Sequence, residues 1–377
     1  MPFIPDTAQS ALPFRRRGTI RISESWPTPL LVAPGLLDLV ETPQWVSFPH
    51  LFAHIADRTA PPTGYGFSLA ETWALARYLG AVAGAADFSL SRPWDDLDSH
   101  QKTILSDDWG VGMASLVATA AFQPSAIANT GEWLRRSGGV ASANRAPRKR
   151  GPAKSPDFVF EDAQGRFHLV EAKGTQGSLK GLMGQLEDGR DQKENITFHD
   201  RSVEGVRLVV GTRVPLEGGG RIEVVVADPP LDVELPTDRD RARAWLRRVG
   251  LAGACRAAGL PTWATALVSL DGFGGLRGEA ARELRVRSLR GDGEDLAGRE
   301  TVVILPRPLE GRGRDWRLVL GMPGGLLHEL LDSPDLDMTM ADLPVGAESD
   351  SVQREIGASG TVSAVTPNAL HFRMHEL

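Results

Sequence analysis

The chain has 377 residues, 41% apolar and 24% charged, with a formal net charge of −6. That length exceeds one ordinary core and predicts two or three folded units, while the acidic balance excludes a surface coated uniformly for nucleic acid, so any basic contact must be local. A single cysteine, Cys255, excludes an intrachain disulfide and a cysteine-rich zinc site; with no signal-like N-terminus and no apolar run long enough for a bilayer, the expected location is the reducing cytoplasm, with no membrane partner.

In chain order, the first hundred residues carry no catalytic pattern. Arg15-Arg16-Arg17 reads as a solvated strand end, and the prolines from Pro27 to Pro34 and Pro61-Pro62 mark irregular connections. Ser68-Leu69-Ala70-Glu71 is a capping box that opens a helix to about Ala83. His50, His54 and His100 are scattered and not at metal-ligand spacing, which makes them surface or structural residues. Trp109 to Phe122 predicts a buried helix packed on a sheet. Between residues 135 and 154 stand Arg135, Arg136, Arg145, Arg148, Lys149, Arg150 and Lys154 with no acid among them. Such a stretch can grip phosphates through counterion release; the plainer alternative is a solvated linker.

Pro156-Asp157 opens the most informative segment. Phe158-Val159-Phe160 is β-prone, Asp162-Ala163-Gln164-Gly165 supplies a turn with glycine where positive φ is needed, and Arg166 to Ala172 resumes an extended pattern. An antiparallel hairpin follows. Strand alternation sends Glu171 and Lys173 to one face, where Asp157 enters from the neighbouring strand. Two carboxylates at one point can hold Mg²⁺ or Mn²⁺ through hard oxygen ligands, with the Ala172 carbonyl as a further ligand. Lys173 would orient or help deprotonate an attacking water and stabilise charge on phosphate oxygens. The competing reading is a surface hairpin bearing ordinary exposed charges.

Beyond the hairpin, Ser178 to Asn195 predicts a helix with Leu179, Leu182, Met183 and Leu186 at helical spacing, and Val206 to Val210 and Arg221 to Ala227 predict strands. After Pro229-Pro230 an arginine-rich helix is expected from Asp238 to Ala258, with Trp245, Leu246 and Val249 inward and Arg239, Arg241, Arg243, Arg247 and Arg248 as a basic face. Strands at Trp263 to Leu270, Thr301 to Leu305 and Trp316 to Leu320 and a helix at Gly324 to Leu331 compose a C-terminal α+β module. Its glycine-rich stretches lack the lysine and hydroxyl of a P-loop, and His371 and His375 near the terminus are a poor metal signal.

Asp157 with Glu171-Ala172-Lys173 and the helix behind them resembles the PD-(D/E)xK nuclease superfamily, over residues 110 to 227. The resemblance implies an α/β fold with a restriction endonuclease-like αβββαβ core and mixed central sheet. Around it are expected an N-terminal helical or irregular accessory region (residues 1–108) and the C-terminal module (231–377), with the nuclease domain at 109–230. It matches Asp157 to the first metal-binding acid, Glu171 to the second and Lys173 to the lysine. Some branches carry a glutamine followed four residues later by a tyrosine on the helix; Gln185 matches the first, but Gly189 stands at the second. The superfamily's first helix often bears a glutamate near the metal, and Glu132 is the candidate, its alternative being a solvated helix carboxylate. The implied activity is Mg²⁺- or Mn²⁺-dependent hydrolysis of DNA by an endonuclease, in defence against foreign DNA, acting with further subunits of a defence complex or as a homodimer. Two other classes compete: a non-catalytic nucleic-acid or protein-binding module on a nuclease scaffold, and a subunit that cuts only within a larger complex.

Overall fold

The computed structural model describes residues 17–24, 34–40, 43–59, 89–136, 141–143, 155–193, 196–198, 204–227, 239–289, 295–305, 314–343 and 362–376. The helix expected from Ser68 and the basic residues Arg145, Arg148, Lys149, Arg150 and Lys154 lie outside these. The first part of the chain forms β1 (Arg17–Glu24), α1 (Pro34–Leu37), β2 (Pro43–Ser47), α2 (Phe48–Thr59), α3 (Ser99–Phe122), β3 (Ile127–Asn129), α4 (Thr130–Arg136), β4 (Ala141–Ala143), β5 (Phe158–Glu161), β6 (Phe167–Thr175), α5 (Leu179–Lys193), β7 (Ile196–Phe198), β8 (Glu204–Arg213) and β9 (Glu223–Ala227).

A mixed seven-stranded sheet, ordered β2-β1-β9-β8-β6-β5-β3, is the frame of this mixed α/β protein. β3, β5 and β6 form an antiparallel meander, and β8 returns parallel to β6. A parallel return needs a crossover, which α5 supplies. The β5–β6 turn is set locally: Gly165 takes φ +74, and the Asp162 carboxylate accepts from the amides of Gln164 and Arg166, both at 2.9 Å.

The sheet is covered on both faces. α3 starts at Ser99, ten residues ahead of the apolar run, because the Asp98 side chain accepts from the His100 and Gln101 amides as an N-cap. It lies directly on β6: a Cβ on Gly174 would stand 1.7 Å from the Ser106 carbonyl oxygen. On the other face, Leu182 and Leu186 of α5 pack with Val209, Val225 and Ala227 in a cluster of their own.

The remaining elements are α6 (Arg239–Ala257), α7 (Pro261–Val268), α8 (Arg277–Arg287), β10 (Ser288–Leu289), β11 (Leu296–Leu305), β12 (Arg314–Pro323), α9 (Gly324–Asp332), α10 (Leu336–Asp342), β13 (Val362–Val365) and β14 (His371–Glu376). The strands make an antiparallel five-stranded sheet, ordered β10-β11-β12-β14-β13. The strand expected at Trp263 to Leu270 is instead α7. Pro261 pre-sets its first turn, the Glu283 carboxylate accepts from the Thr262 and Trp263 amides, and the Trp263 indole donates to the Ala280 carbonyl at 3.0 Å. A short, mostly apolar run cannot separate helix from strand by its period, and here tertiary contacts decide.

The arginine-rich helix forms as expected, but much of its basic face is turned inward. Arg247 donates to the Met340 and Leu343 carbonyls, each at 2.6 Å, at the end of α10. Arg248 donates to the Leu267 carbonyl at 2.7 Å, to the Ser269 carbonyl and to Asp337. These guanidinium groups satisfy carbonyls left open at helix C-termini. Arg243 grips the buried Glu161 of β5 at 2.7 and 2.9 Å.

One buried apolar cluster runs from Ile22 to Phe372 and crosses both domain boundaries expected from the sequence. β1 pairs in parallel with β9, so the N-terminal segment completes the main sheet and is not an appendage. The C-terminal part closes that sheet's far edge: the Asn368 side chain accepts from the Ile127 amide at 3.0 Å and donates to the Ile127 carbonyl at 2.9 Å. This amide pair substitutes for a neighbouring strand. Among the described residues no helix is long and apolar enough to cross a membrane.

Candidate active site

The β5–β6 register aligns Phe158 with Val170, and one further step sets Asp157 opposite Glu171. The Asp157 side chain accepts from the Ala172 amide at 2.8 Å, and its backbone carbonyl accepts from the Thr130 amide at 3.1 Å. Amide and carbonyl of one extended residue point to the same neighbouring strand, so the Ala172 carbonyl shares the side from which Asp157 approaches. Glu171 and Lys173 project together from β6, with the Lys173 ammonium donating to Glu171 Oε1. Glu171 is only 1% exposed, and its Oε2 is buried with no hydrogen-bond partner.

α5 roofs the site. A Cβ on Gly189 would lie 2.6 Å from Val209 Cγ1 and 3.4 Å from both Glu171 Cγ and Lys173 Cε. A tyrosine, as in the other half of the superfamily pattern, has no room here. Gln185, one turn earlier, is half-buried with its Oε1 lacking a partner. Its helix is thus the one over Glu171, although none of its hydrogen bonds reaches the triad.

Glu132 is not brought to the site. It is buried on α4, where Arg135 and Arg136 take its two carboxylate oxygens, the second at 3.1 Å. Charges three and four residues along its own helix neutralise the residue that the resemblance set near a metal.

Electrostatics bind these groups into one unit. Burial raises the pKa of Asp157, and the nearby charge of Asp107 raises it further, against the opposing Ala172 amide and Lys173 ammonium. Burial and then the Asp157 charge push Glu171 up to about 7, with Lys173 opposing. Asp107 is itself raised by burial and held down by Lys173. Asp157 and the buried Glu171 therefore stand side by side with the Lys173 ammonium as the counter-charge of Glu171, an arrangement that favours either a bound proton or an added cation.

Among the described residues, no group of three or more His, Cys, Asp or Glu side chains could hold a metal ion. Comparison with protein-family models, with curated proteins and with solved structures finds no match.

Proposed function

We propose that the chain is a metal-dependent nuclease of the PD-(D/E)xK, restriction endonuclease-like type that hydrolyses DNA phosphodiester bonds. The observation that carries this reading is the Asp157 carboxylate, tied to the Ala172 amide and set opposite Glu171, whose inner oxygen is orphaned beside Lys173. The succession α3, β3, β5, β6, α5, β8, with an antiparallel meander followed by a parallel return, supports the same assignment.

The donor set fits a hard divalent cation. An unpartnered carboxylate oxygen in the interior is a costly feature that a cation relieves, and both carboxyls are raised in the way acids are when counter-charge is short. Asp157, Glu171 and the Ala172 carbonyl would hold Mg²⁺ or Mn²⁺, which supplies charge neutralisation at phosphate and a water of lowered pKa. Lys173 orients the attacking water and donates to the phosphate oxygens as negative charge builds on them. α5, closed down over the site at Gly189, excludes bulk water from one side. Action in cytoplasmic defence against foreign DNA, with other subunits or a second copy of the chain, extends this proposal from the family resemblance.

The test is incubation of the purified chain with plasmid, linear and single-stranded DNA and with RNA, in Mg²⁺ or Mn²⁺ against EDTA. Metal-dependent cleavage is expected, lost in Asp157→Ala, Glu171→Ala and Lys173→Ala. Lys173→Ala should retain Mg²⁺ binding by calorimetry, because an ammonium repels the ion and does not ligate it. A triple variant cutting at the wild-type rate refutes the site, and DNA binding without cutting by the wild type assigns the chain to the binding-module class.

A further inference from the structure

Beside Asp157, polar side chains from three segments gather around a residue that has none. A Cβ on Gly131, which is half-buried on α4, would stand 3.4 Å from Asn129 Oδ1, 3.7 Å from Ser155 Oγ and 3.8 Å from Arg135 Nη1. Asn129 ends β3, Arg135 lies on α4 and Ser155 belongs to the segment leading into β5. The bare glycine thus leaves a cradle with room for one methyl group or one oxygen atom. It lies close to the acids. The Thr130 amide, next to Gly131, donates to the Asp157 carbonyl at 3.1 Å, and Ser155 is two residues, at most about 7 Å, from Asp157 along the chain.

The arginine is oriented before anything binds. Its Nη2 donates to the buried Glu132, and Nη1 is the end turned to Gly131. The other Glu132 oxygen accepts from Arg136 Nε at 3.1 Å, so one carboxylate serves two guanidinium groups and the local balance stays positive. The Arg135 side chain is 66% exposed, which opens the cradle to a large ligand. Asn129 forms the third wall, its Oδ1 taken by the Glu132 amide at 3.0 Å. A guanidinium edge and a hydroxyl facing one open position are donors suited to an anionic oxygen.

We propose that Arg135 and Ser155 bind a phosphate of the nucleic-acid strand neighbouring the one that is cut, with the phosphate oxygen seated over Gly131. The inference rests on the nuclease reading and adds to it a substrate contact outside the metal position. Such a contact sets the register of the strand and reads no base. Its consequence is a division of labour: Asp157, Glu171 and Lys173 govern turnover, whereas Arg135 and Ser155 govern affinity for the strand.

The experiment uses the full chain with Arg135→Gln, Ser155→Ala and Gly131→Ala, and with Arg282→Gln, an exposed arginine of α8, as the control for lost charge alone. Steady-state cleavage of plasmid in Mg²⁺ is measured over a range of salt, beside DNA binding by fluorescence anisotropy in EDTA and urea unfolding. Arg135→Gln is expected to raise KM about tenfold, as loss of one charge-assisted hydrogen bond does, with kcat within about twofold of wild type. The slope of log KM against log salt should fall by about 1. Ser155→Ala should raise KM about threefold. Gly131→Ala sets a methyl in the cradle at ordinary contact distances, so KM should rise while the urea midpoint is no lower than in the wild type. Wild-type KM and salt slope in Arg135→Gln would overturn the proposal, as would a loss of turnover at unchanged KM or an equal rise of KM in Arg282→Gln. Wild-type protein that binds DNA without cutting it would refute the nuclease reading alone, and the Kd values of the same variants would then decide the cradle. Wild-type protein that neither binds nor cuts nucleic acid overturns both.

Discussion

Replacing Glu171 by glutamine removes a buried carboxylate whose charge is disfavoured by its surroundings, and its effect on stability has a definite sign. Burial and the neighbouring Asp157 raise the Glu171 carboxyl from 4.5 to about 7. The folded protein therefore holds this proton more tightly than the unfolded chain does. Its contribution to stability is fully present below about pH 4.5 and is lost as pH rises through about 7. A tenfold change in proton affinity is worth about 1.4 kcal/mol, so roughly 3 kcal/mol disappears across that window. Asp157, raised in the same direction, adds to the slope. Glutamine carries no titrating proton and stands in for the protonated acid, so Glu171→Gln keeps what the wild type loses, the ion pair with Lys173 being already contained in the net shift. Denaturant unfolding without divalent ions should find the variant roughly 3 kcal/mol more stable than wild type at pH 8 and no more stable at pH 4.5. Millimolar Mg²⁺ at pH 8 should raise the stability of the wild type and leave the variant nearly unmoved. A stability difference that stays constant from pH 4.5 to 8, or wild-type stability that rises over that range, would refute the electrostatic account.

Other substitutions separate structure from chemistry. Gly189→Ala places a methyl 2.6 Å from Val209 Cγ1 and should cost about 1–3 kcal/mol, whereas Gly184→Ala on the same helix, with nothing within 4 Å, should gain about 1 kcal/mol; equal midpoints in urea would contradict the placement of α5. Arg243→Ala leaves the 1% exposed Glu161 side chain unpaired and should destabilise the protein by about 3–5 kcal/mol, with part of the loss recovered on adding Glu161→Gln, as a double-mutant cycle would measure. Glu132→Gln should leave the turnover of metal-dependent cleavage within about twofold of wild type, since its carboxylate is engaged by Arg135 and Arg136; a loss like that of Asp157→Ala would return Glu132 to the site.

The hairpin at the centre of the site was legible in the sequence because its determinants are local. A turn closed by Asp162 and Gly165 sets the pairing of the strands on either side, and that pairing alone carries Asp157 to Glu171 and puts Lys173 on the same face. The crossover helix and the strand after it were legible for the same reason, through apolar periodicity. Charge placement across elements was not. Glu132 is an acid on a helix near the hairpin, and no spacing says what its carboxylate meets. Only the packed structure shows that α3 seats on β6 through the bare backbones of Gly110 and Gly174, and that Glu132 is neutralised within its own helix. The arginines of α6 looked like a basic face in sequence and become helix caps once α7 and α10 present open carbonyls to them. A chain of residues specifies each local conformation through neighbours a few positions away, but which charges share a poorly solvated space depends on how distant segments pack, and there the strength of every Coulombic interaction is decided.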